Sequence, residues 1–339
     1  MSTEQMTVVR QPVYGTAEAL VVDSAPLPKV GDDDVRIRVR AASLNFGDRM
    51  VLTGRPWLFR PLAYGLRRPG VPIAGMAAAG VVVEVGPSVT DWVVGDPVFG
   101  ELARGALADQ VLARSSELAR KPEAITFEAA ATLPVAAATA LRGLRDIAGV
   151  KPGHRVLING ASGGVGTFAV QIGKALGATV TAVCSGTNVA QAQALGADAV
   201  IDYTERAYVD ADERFDVVFD LVGNHPLGQR RRVLDRDGVY VASFGQGGDA
   251  VFGPLGRILW VAAASMTSPR SIRVLSAQAS PSDLADVAEL VRLGKVRPVV
   301  EARYPLAEAP SAYARLLEGH LRGKLVIAVD DPRYFGPPK

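Results

Sequence analysis

Apolar residues along this 339-residue chain follow two different rhythms. Up to about residue 127 they fall in short alternating runs such as Asp34-Val35-Arg36-Ile37-Arg38-Val39-Arg40, which turn one face to a core and the other to water. Ala79–Gly86 reads as a further strand ended by Gly-Pro, and Gly95–Gly100 as one that begins after a turn. Short strands punctuated by Gly and Pro predict a barrel. From about 128 to 278 the pattern changes. Strands are predicted at 155–159, 179–184, 199–202, 216–221, 238–243 and 272–277, with helical or loop material between them. Six strands alternating in this way predict an α/β unit built on a doubly wound parallel sheet. Residues 279–339 predict a helix opened by Ser282, running Asp283 to Leu293 and stopped at Gly294. A strand, a second short helix and a closing strand, Lys324–Val329, follow.

Composition narrows the class. The length suits two domains. A hydrophobic content of 48% and a mean hydropathy of +0.17 supply full cores and little disorder. The net charge is +2 with both signs interspersed, so no footprint for nucleic acid is present. The clusters Arg67-Arg68 and Arg230-Arg231-Arg232 read as solvated surface. Met1–Arg10 has no apolar signal core. Val251–Met266 is apolar but is broken by Pro254 and Arg257, and is shorter than the ~20 residues of a spanning helix. It reads as a helix buried at a domain or subunit contact, or as a lid. No membrane partner is expected. The single cysteine, Cys184, sits in an apolar strand and fits a reducing, cytoplasmic setting.

The most informative stretch begins at Val156. An apolar strand breaks into a small-residue turn, and a helix follows with Val165, Phe168, Ala169, Ile172 and Leu176 on one face, up to Gly177. In a strand–turn–helix context, Ala161-x-Gly163-x-x-Gly166 is the dinucleotide fingerprint with alanine at its first glycine. Small residues let a pyrophosphate reach unpaired N–H groups at the helix start. Ala161, Ser162, Gly163, Gly164, Val165 and Gly166 are therefore cofactor-binding candidates. With 35 Gly in the chain such a pattern recurs by chance, so the second strand matters. NAD-binding versions carry a carboxylate about 20 residues past the glycine turn, on the ribose 2′-hydroxyl. Here Cys184 leads into Ser185, Gly186, Thr187 and Asn188, and the nearest downstream carboxylate is Asp198. Its distance leaves room for a 2′-phosphate, with hydroxyl and amide donors in the turn and Tyr203 beyond it. NADPH is favoured over NADH, although no Arg or Lys lies in the turn and Arg206 is the first basic residue after it. One Cys and three His (His154, His225, His320), none with a partner at ligand spacing, give no metal site. Without a Lewis acid, hydride transfer favours an acceptor that is already electrophilic, a quinone or an α,β-unsaturated carbonyl.

These residues resemble the zinc-free quinone oxidoreductase branch of the medium-chain dehydrogenase/reductase superfamily, over nearly the whole chain. Ala41-Ala42-Ser43-Leu44-Asn45-Phe46-Gly47-Asp48 resembles its first active-site segment, in which Asn and Asp face nicotinamide and substrate. Leu133–Ala140 resembles the helix that brings a Thr, here Thr139, to the cofactor, and Asn159–Gly166 matches the family's turn. Val200-Ile201-Asp202-Tyr203 resembles the segment whose Tyr contacts the 2′-phosphate. Phe219–Gly223, with Val222, and Ser243-Phe244-Gly245 resemble strand ends that line the nicotinamide. Gly323-Lys324-Leu325-Val326 resembles the closing strand, which places Lys324 in the cofactor set. The resemblance implies a GroES-like β-barrel domain over 1–127, completed by 279–339. It also implies a Rossmann domain over 128–278, a cleft between the two, and a homodimer. The chain departs from the family at Gly75-Met76-Ala77-Ala78-Ala79-Gly80, where zinc members have Gly-His-Glu. It departs again at Thr187, where relatives often carry a basic residue, which allows a mixed cofactor preference.

Asn45 also suits a turn cap, and Asp48 a surface position or a helix cap; family position favours the active site. Glu101 reads either as a proton donor or as a solvated strand end. Tyr64 belongs to a Pro-, Arg- and Trp-rich segment that forms a substrate rim or packs the barrel. The leading reading is a zinc-independent NADPH-dependent reductase of quinones or enones, with coupled cyclisation in a biosynthetic pathway still open. An alcohol or aldehyde reductase is an enzymatic alternative. A non-enzymatic NADPH- or RNA-binding protein of the zeta-crystallin kind is another, which the small net charge disfavours.

Overall fold

The computed structural model describes residues 4–61, 65–242, 272–275 and 279–329. Tyr64, Ser243, Phe244, Gly245 and the Val251–Met266 segment lie outside the described residues. The chain begins with a hairpin, β1 (Gln5–Arg10) and β2 (Val21–Pro26). Next come β3 (Asp34–Leu44), α1 (Phe46–Thr53), β4 (Ala77–Val85), β5 (Pro97–Glu101), β6 (Gln110–Arg114) and β7 (Leu118–Arg120). Helices α2 (Phe127–Ala131) and α3 (Ala138–Leu141) lead into the alternating region. It contains β8 (Arg155–Asn159), α4 (Gly164–Ala175), β9 (Thr179–Cys184), α5 (Val189–Ala194) and β10 (Ala199–Asp202). It continues with β11 (Phe215–Asp220), α6 (Leu227–Arg230), β12 (Leu234–Ala242) and β13 (Ile272–Val274). The tail adds α7 (Pro281–Arg292), β14 (Val300–Pro305), α8 (Ala309–Glu318) and β15 (Lys324–Ala328).

The β-rich unit is organised by β3. Along one edge it pairs with β4. Along the other it pairs first with β6, over Asp34–Arg38, and then with β15, over Ala41–Leu44. Bulges near Arg36 and Val39 bend it, so one strand can serve three partners. The resulting sheet runs β14-β15-β3-β4-β5-β7 with β6 on its flank. The structure thus has the GroES-like unit that the resemblance implied. The second unit is a six-stranded parallel sheet in the order β10-β9-β8-β11-β12-β13, the Rossmann order. Val156, Leu157, Ile158, Val217, Val218 and Phe219 are all buried, because both faces of the sheet are covered.

Several boundaries shift from the sequence reading. The tail helix is opened by Ser280, not Ser282. The Ser280 hydroxyl accepts the Asp283 N–H at 3.2 Å, and Pro281, which has no N–H to lose, takes the first helical position. β12 starts at Leu234, which pairs with Phe215, four residues ahead of the expected start. Between β10 and β11 the only helical turn among the described residues is Tyr208–Asp210. The tail also divides. Leu284, Val287 and Ala288 of α7 join the core of the parallel sheet, whereas Ala309, Ala312, Tyr313 and Leu316 of α8 pack into the β-rich core.

The packing of α4 on β8 depends on Gly166. A Cβ there would meet the Gly160 carbonyl oxygen and lie 2.7 Å from Ala161 Cα. Both neighbours are backbone, which cannot rotate aside. Gly166→Ala is therefore expected to cost about 2–3 kcal/mol of stability, measured by urea denaturation. A loss below about 0.5 kcal/mol would mean that α4 can lift off the turn freely.

Candidate functional site

The C-terminal ends of the parallel strands share one edge, where α/β sheets bind ligands. β8 ends at Asn159, the chain turns through Gly160 (φ +90°), and α4 begins with Gly163 as its N-cap. No side chain caps that end, so its first-turn N–H groups point at whatever occupies the turn. The three glycines differ in what they require. Gly166 serves packing, as above. Gly164 lies against Lys324, whose Cδ would be 3.0 Å from an added Cβ. Gly163 has open space: the nearest atom to a Cβ there is the Gly160 oxygen, 3.7 Å away. Nothing among the described residues requires a glycine at 163. Ala161 is fully buried beneath the turn, while Ser162, Gly163, Gly164 and Val165 are half-buried along it.

α3, which packs on α4, carries Thr139, 4% exposed, whose Oγ1 finds no partner among the described residues. Such an orphaned buried hydroxyl is costly unless a ligand satisfies it. The helix around Thr139 is distorted by π turns at Leu133–Ala137 and Arg142–Ile147, a distortion common at functional sites.

Asp220, at the end of β11, anchors the opposite wall. Its Oδ1 accepts the Asn159 side-chain amide at 2.8 Å and the backbone N–H groups of Val222 (3.0 Å) and Gly223 (2.8 Å). Its Oδ2 accepts the Tyr240 hydroxyl at 2.5 Å. Arg230 donates to that hydroxyl at 2.5 Å and to the Gly223 carbonyl at 2.6 Å. Burial, and then the Asp220 charge, raise the hydroxyl pKa values of Tyr240 and Tyr208. Val222 is thereby held over the glycine turn, 2.8 Å from where a Gly160 Cβ would be. This corrects the surface reading of the arginine cluster: Arg231 and Arg232 are exposed, but Arg230 is 6% exposed and belongs to the network. No local sequence pattern marks Arg230 as different from its neighbours.

The second-strand turn also differs from its sequence reading. β10 lies beside β9 with Asp202 opposite Cys184, and a Cβ on Gly186 would collide with the Asp202 carboxylate. A carboxylate therefore does reach this turn, carried by the third strand. Its hydrogen bonds to Thr204, then to backbone N–H groups of Thr204 and Gly186, hold its pKa down. A cation reaches the turn as well: Arg322 donates to the Thr187 carbonyl at 3.2 Å from 135 positions away. Ser185 and Thr187 hydroxyls lie 3.1 Å apart, and Asn188 donates to Ser185 while its own Oδ1 is buried and unpartnered among the described residues. Tyr203 stands at the rim, 45% exposed.

Across from the glycine turn is the start of α1. Asn45 is its N-cap, and the Asn45 N–H donates to Asp48 Oδ2 at 2.6 Å. Asp48 is therefore not at the surface; it is 2% exposed and serves as the third residue of a capping box. Lys324, 2% exposed, donates to the Leu44 carbonyl at 2.6 Å and to Asn45 Oδ1. Its ammonium thus serves the β-rich unit, and only its stem touches the nucleotide turn. Burial raises Asp48 and lowers Lys324. Glu101 is brought to the same corner, since Ser43, Ala77 and Glu101 sit opposite one another across β3, β4 and β5. It is half-buried, which rules out the solvated strand end. Burial first, then the charges of Asp48 and Glu117, push its carboxyl up to about 7.

Family models for an alcohol dehydrogenase GroES-like domain (residues 31–124) and a zinc-binding dehydrogenase (residues 195–327) match the chain. The chain is similar to a mitochondrial NAD(P)H oxidoreductase of Mus musculus, 33% identical over 93% of this chain and 87% of the relative. It is 31% identical to the 2-methylene-furan-3-one reductase of Solanum lycopersicum, over 93% and 76% respectively. The quinone oxidoreductase of Coxiella burnetii superposes with a TM-score of 0.84 at 30% identity, covering 96% of this chain and all of that one. The chain belongs to the medium-chain dehydrogenase/reductase superfamily, in its quinone oxidoreductase-like branch. Members of this superfamily are nicotinamide-dependent oxidoreductases. This medium-chain member has Met76-Ala77 after Gly75 where zinc members have His-Glu, and its one cysteine is buried within β9. Among the described residues, no group of three or more His, Cys, Asp or Glu is placed to hold a metal ion. None of the described helices is long and apolar enough to cross a membrane.

Two outcomes follow from this geometry. Gly163→Val should keep the fold, as the position is open and its φ of −77° suits any residue. It should weaken NADPH binding at least ~100-fold by displacing phosphates from the helix N–H groups. Circular dichroism and nicotinamide fluorescence titration decide this, and parental affinity in a folded variant would remove the turn from the site. Glu101→Gln tests the raised carboxyl. An acid whose pKa rises on folding stabilises the fold below its ordinary value and loses that contribution as pH climbs through about 7. The variant, which cannot ionise, should gain about 1–3 kcal/mol over the parent between about pH 5 and about pH 8.5. Parallel urea curves at the two pH values would refute this by showing a constant difference.

Proposed function

We propose that the protein is a zinc-independent, NADPH-dependent oxidoreductase that delivers hydride to a quinone or an α,β-unsaturated carbonyl compound. The observation that carries this reading is Gly163, a fingerprint glycine that packing among the described residues does not require, at the uncapped start of α4, the helix against which α3 packs with its orphaned Thr139 hydroxyl. The bound nicotinamide would supply a hydride equivalent. Residues 128–278 with α7 hold the nucleotide in this reading, and residues 1–127 with β14, α8 and β15 form the substrate side.

The chain's own residues supply orientation and protons. Val222, held by Asp220, and Thr139 position the nicotinamide end. Asn45 donates to the substrate oxygen as negative charge develops there. Glu101, protonated up to about pH 7, has a proton to give to the enolate carbon. The branch's relatives include proteins named for quinones and for an enone, and the Met76-Ala77 departure leaves no Lewis acid ligand in that segment. An already polarised acceptor suits such a site.

For the adenosine end, Arg322 offers the positive charge that the second-strand turn lacks, and the 2′-phosphate is its natural partner. Asp202 beside Gly186 opposes it, so selectivity is moderate. The reading also takes the protein to be a cytoplasmic homodimer. The edge strand β13, the outermost among the described residues, leaves Val274 41% exposed and supports the pairing.

Steady-state NADPH oxidation against a panel of quinones and enones tests the activity; turnover of simple alcohols or aldehydes alone would overturn it. For the cofactor, Arg322→Gln should weaken NADPH ~10-fold or more and NADH by less than ~3-fold, the value of one charge-assisted hydrogen bond. Equal losses would show that Arg322 does not read the 2′-phosphate.

A further inference from the structure

From Gly54 to Ile73 the chain contains only arginine, proline, glycine and apolar or aromatic residues. No Asp or Glu occurs between Asp48 and Glu84, whereas Arg49, Arg55, Arg60, Arg67 and Arg68 all do. A chain whose net charge is +2 therefore gathers five positive charges and no negative one over residues 49–83. The fold fixes this stretch against the connection between β1 and β2. Arg60 lies 4.1 Å over the Tyr14 ring and donates to the Gly54 carbonyl at 2.8 Å. The Tyr14 hydroxyl donates to the Gly65 carbonyl at 2.5 Å, and the Gln11 N–H to the Pro72 carbonyl at 2.9 Å. Arg55, Arg67 and Arg68 are exposed, and none of the three is in an ion pair among the described residues. Arg10, Arg36, Arg104 and Arg120 of the same unit each face a carboxylate. Exposed on the same two stretches of chain are Trp57 (48%), Leu66 (66%), Val13, Leu58 and Val71. An exposed apolar set of this kind marks an interaction surface.

We propose that this surface docks on an anionic lipid bilayer. Arg55, Arg67 and Arg68 meet headgroup phosphates, and Trp57, Leu58 and Leu66 enter the interfacial layer. Composition decides among partners. Protein and nucleic-acid surfaces are read with side-chain donors and acceptors, and Gly54–Ile73 has no Ser, Thr, Asn, Gln, Asp or Glu. A lipid surface asks only for positive charge with aromatic and aliphatic area, and Trp is enriched at that depth. The expectation of no membrane partner concerns crossing a bilayer, not lying against one. α1 links this surface to the candidate site, with Asn45 before its first residue and Gly54 after its last, roughly 12 Å of helix. The use of the surface, though not its binding, rests on the proposed reduction. An apolar quinone dissolves in a bilayer, so docking brings the site close to where its acceptor is stored.

The test is co-sedimentation of the full-length protein with vesicles of phosphatidylcholine, alone or with about 30% phosphatidylglycerol. The anionic vesicles are expected to bind at least ~10-fold more tightly, and raising salt from about 0.05 M to about 0.5 M should release the protein. Arg55→Gln, Arg67→Gln and Arg68→Gln together should weaken that binding at least ~30-fold, several-fold per charge. Arg231→Gln with Arg232→Gln, exposed on the other unit, should change it by less than ~3-fold. Tryptophan emission should shift to the blue on anionic vesicles, and Trp57→Phe should abolish the shift. Equal binding to both kinds of vesicle, or a triple variant that binds like the parent, would overturn the inference. So would a Trp57 shift produced by self-association without lipid, or retention on an RNA oligonucleotide with none on vesicles. If the triple variant lacks the parental circular dichroism, Arg67→Gln and Arg68→Gln are measured singly, each expected to lose ~3-fold or more. Binding is read without cofactor or acceptor. A parent that docks but reduces no quinone or enone would count against the proposed function alone. A parent that reduces them but ignores anionic vesicles would count against the docking alone.

Discussion

The structure depends most on the contact of a helix start with a strand end. α4 can approach β8 only because Gly166 has no side chain to strike the Gly160 carbonyl. That approach aims the first N–H groups of α4 across the end of the sheet, and it brings Gly164 up to Lys324 in the other unit. Were the helix displaced outward by the width of a methyl group, both the turn at its start and the link to β3 would open. Backbone contact of this kind tolerates no compromise, unlike the side-chain contacts around it.

Two walls are built against that fixed element by different physical means. On the parallel-sheet side, the Asp220 carboxylate gathers donors from Asn159, Val222, Gly223 and Tyr240, with Arg230 bracing Tyr240 and the Gly223 carbonyl. A buried charge with its acceptor capacity used in this way is a rigid support, and it ties the ends of β8, β11 and β12 together. On the β-rich side, the β3 tip is fixed by a capping box and by Lys324, and the ionisable groups there are poorly solvated. The first wall sets geometry. The second sets geometry and also holds groups whose charge states are close in energy.

Much of this was legible in the sequence, and the exceptions share a cause. The parallel sheet, the glycine turn and the helix after it follow from local periodicity and turn chemistry, and they stand within a residue or so of where the pattern puts them. β12 is longer than its pattern because Leu234 gains a strand partner, Phe215, that only the fold supplies. Ser280 displaces Ser282 as helix cap because Pro281 suits the first helical turn, a choice between two plausible serines. The residues misread or overlooked (Asp202, Arg230 and Arg322) act through partners that are distant in sequence or on a neighbouring strand. Asp202 is 16 positions beyond Gly186 yet lies directly against it. Arg322 and Thr187 are separated by 135 positions. Pattern reading finds what a residue does to its neighbours in the chain; it does not find what the fold brings beside it.

The substrate corner shows why such partners matter for chemistry. Asp48, Glu101 and Lys324 are ionisable groups kept from water in one small volume. Burial drives both carboxyls toward the neutral form and the lysine toward the amine, while each charge on Asp48 raises the pKa of Glu101 and of Lys324. The three therefore do not titrate independently, and a proton taken from Glu101 changes the energy of protons on the others. A lone carboxyl at a solvated strand end has no such coupling, because solvent would already have settled its charge. Burial is therefore what turns Glu101 from an ordinary acid, ionised well below neutral pH, into one that still holds its proton where a reductase works.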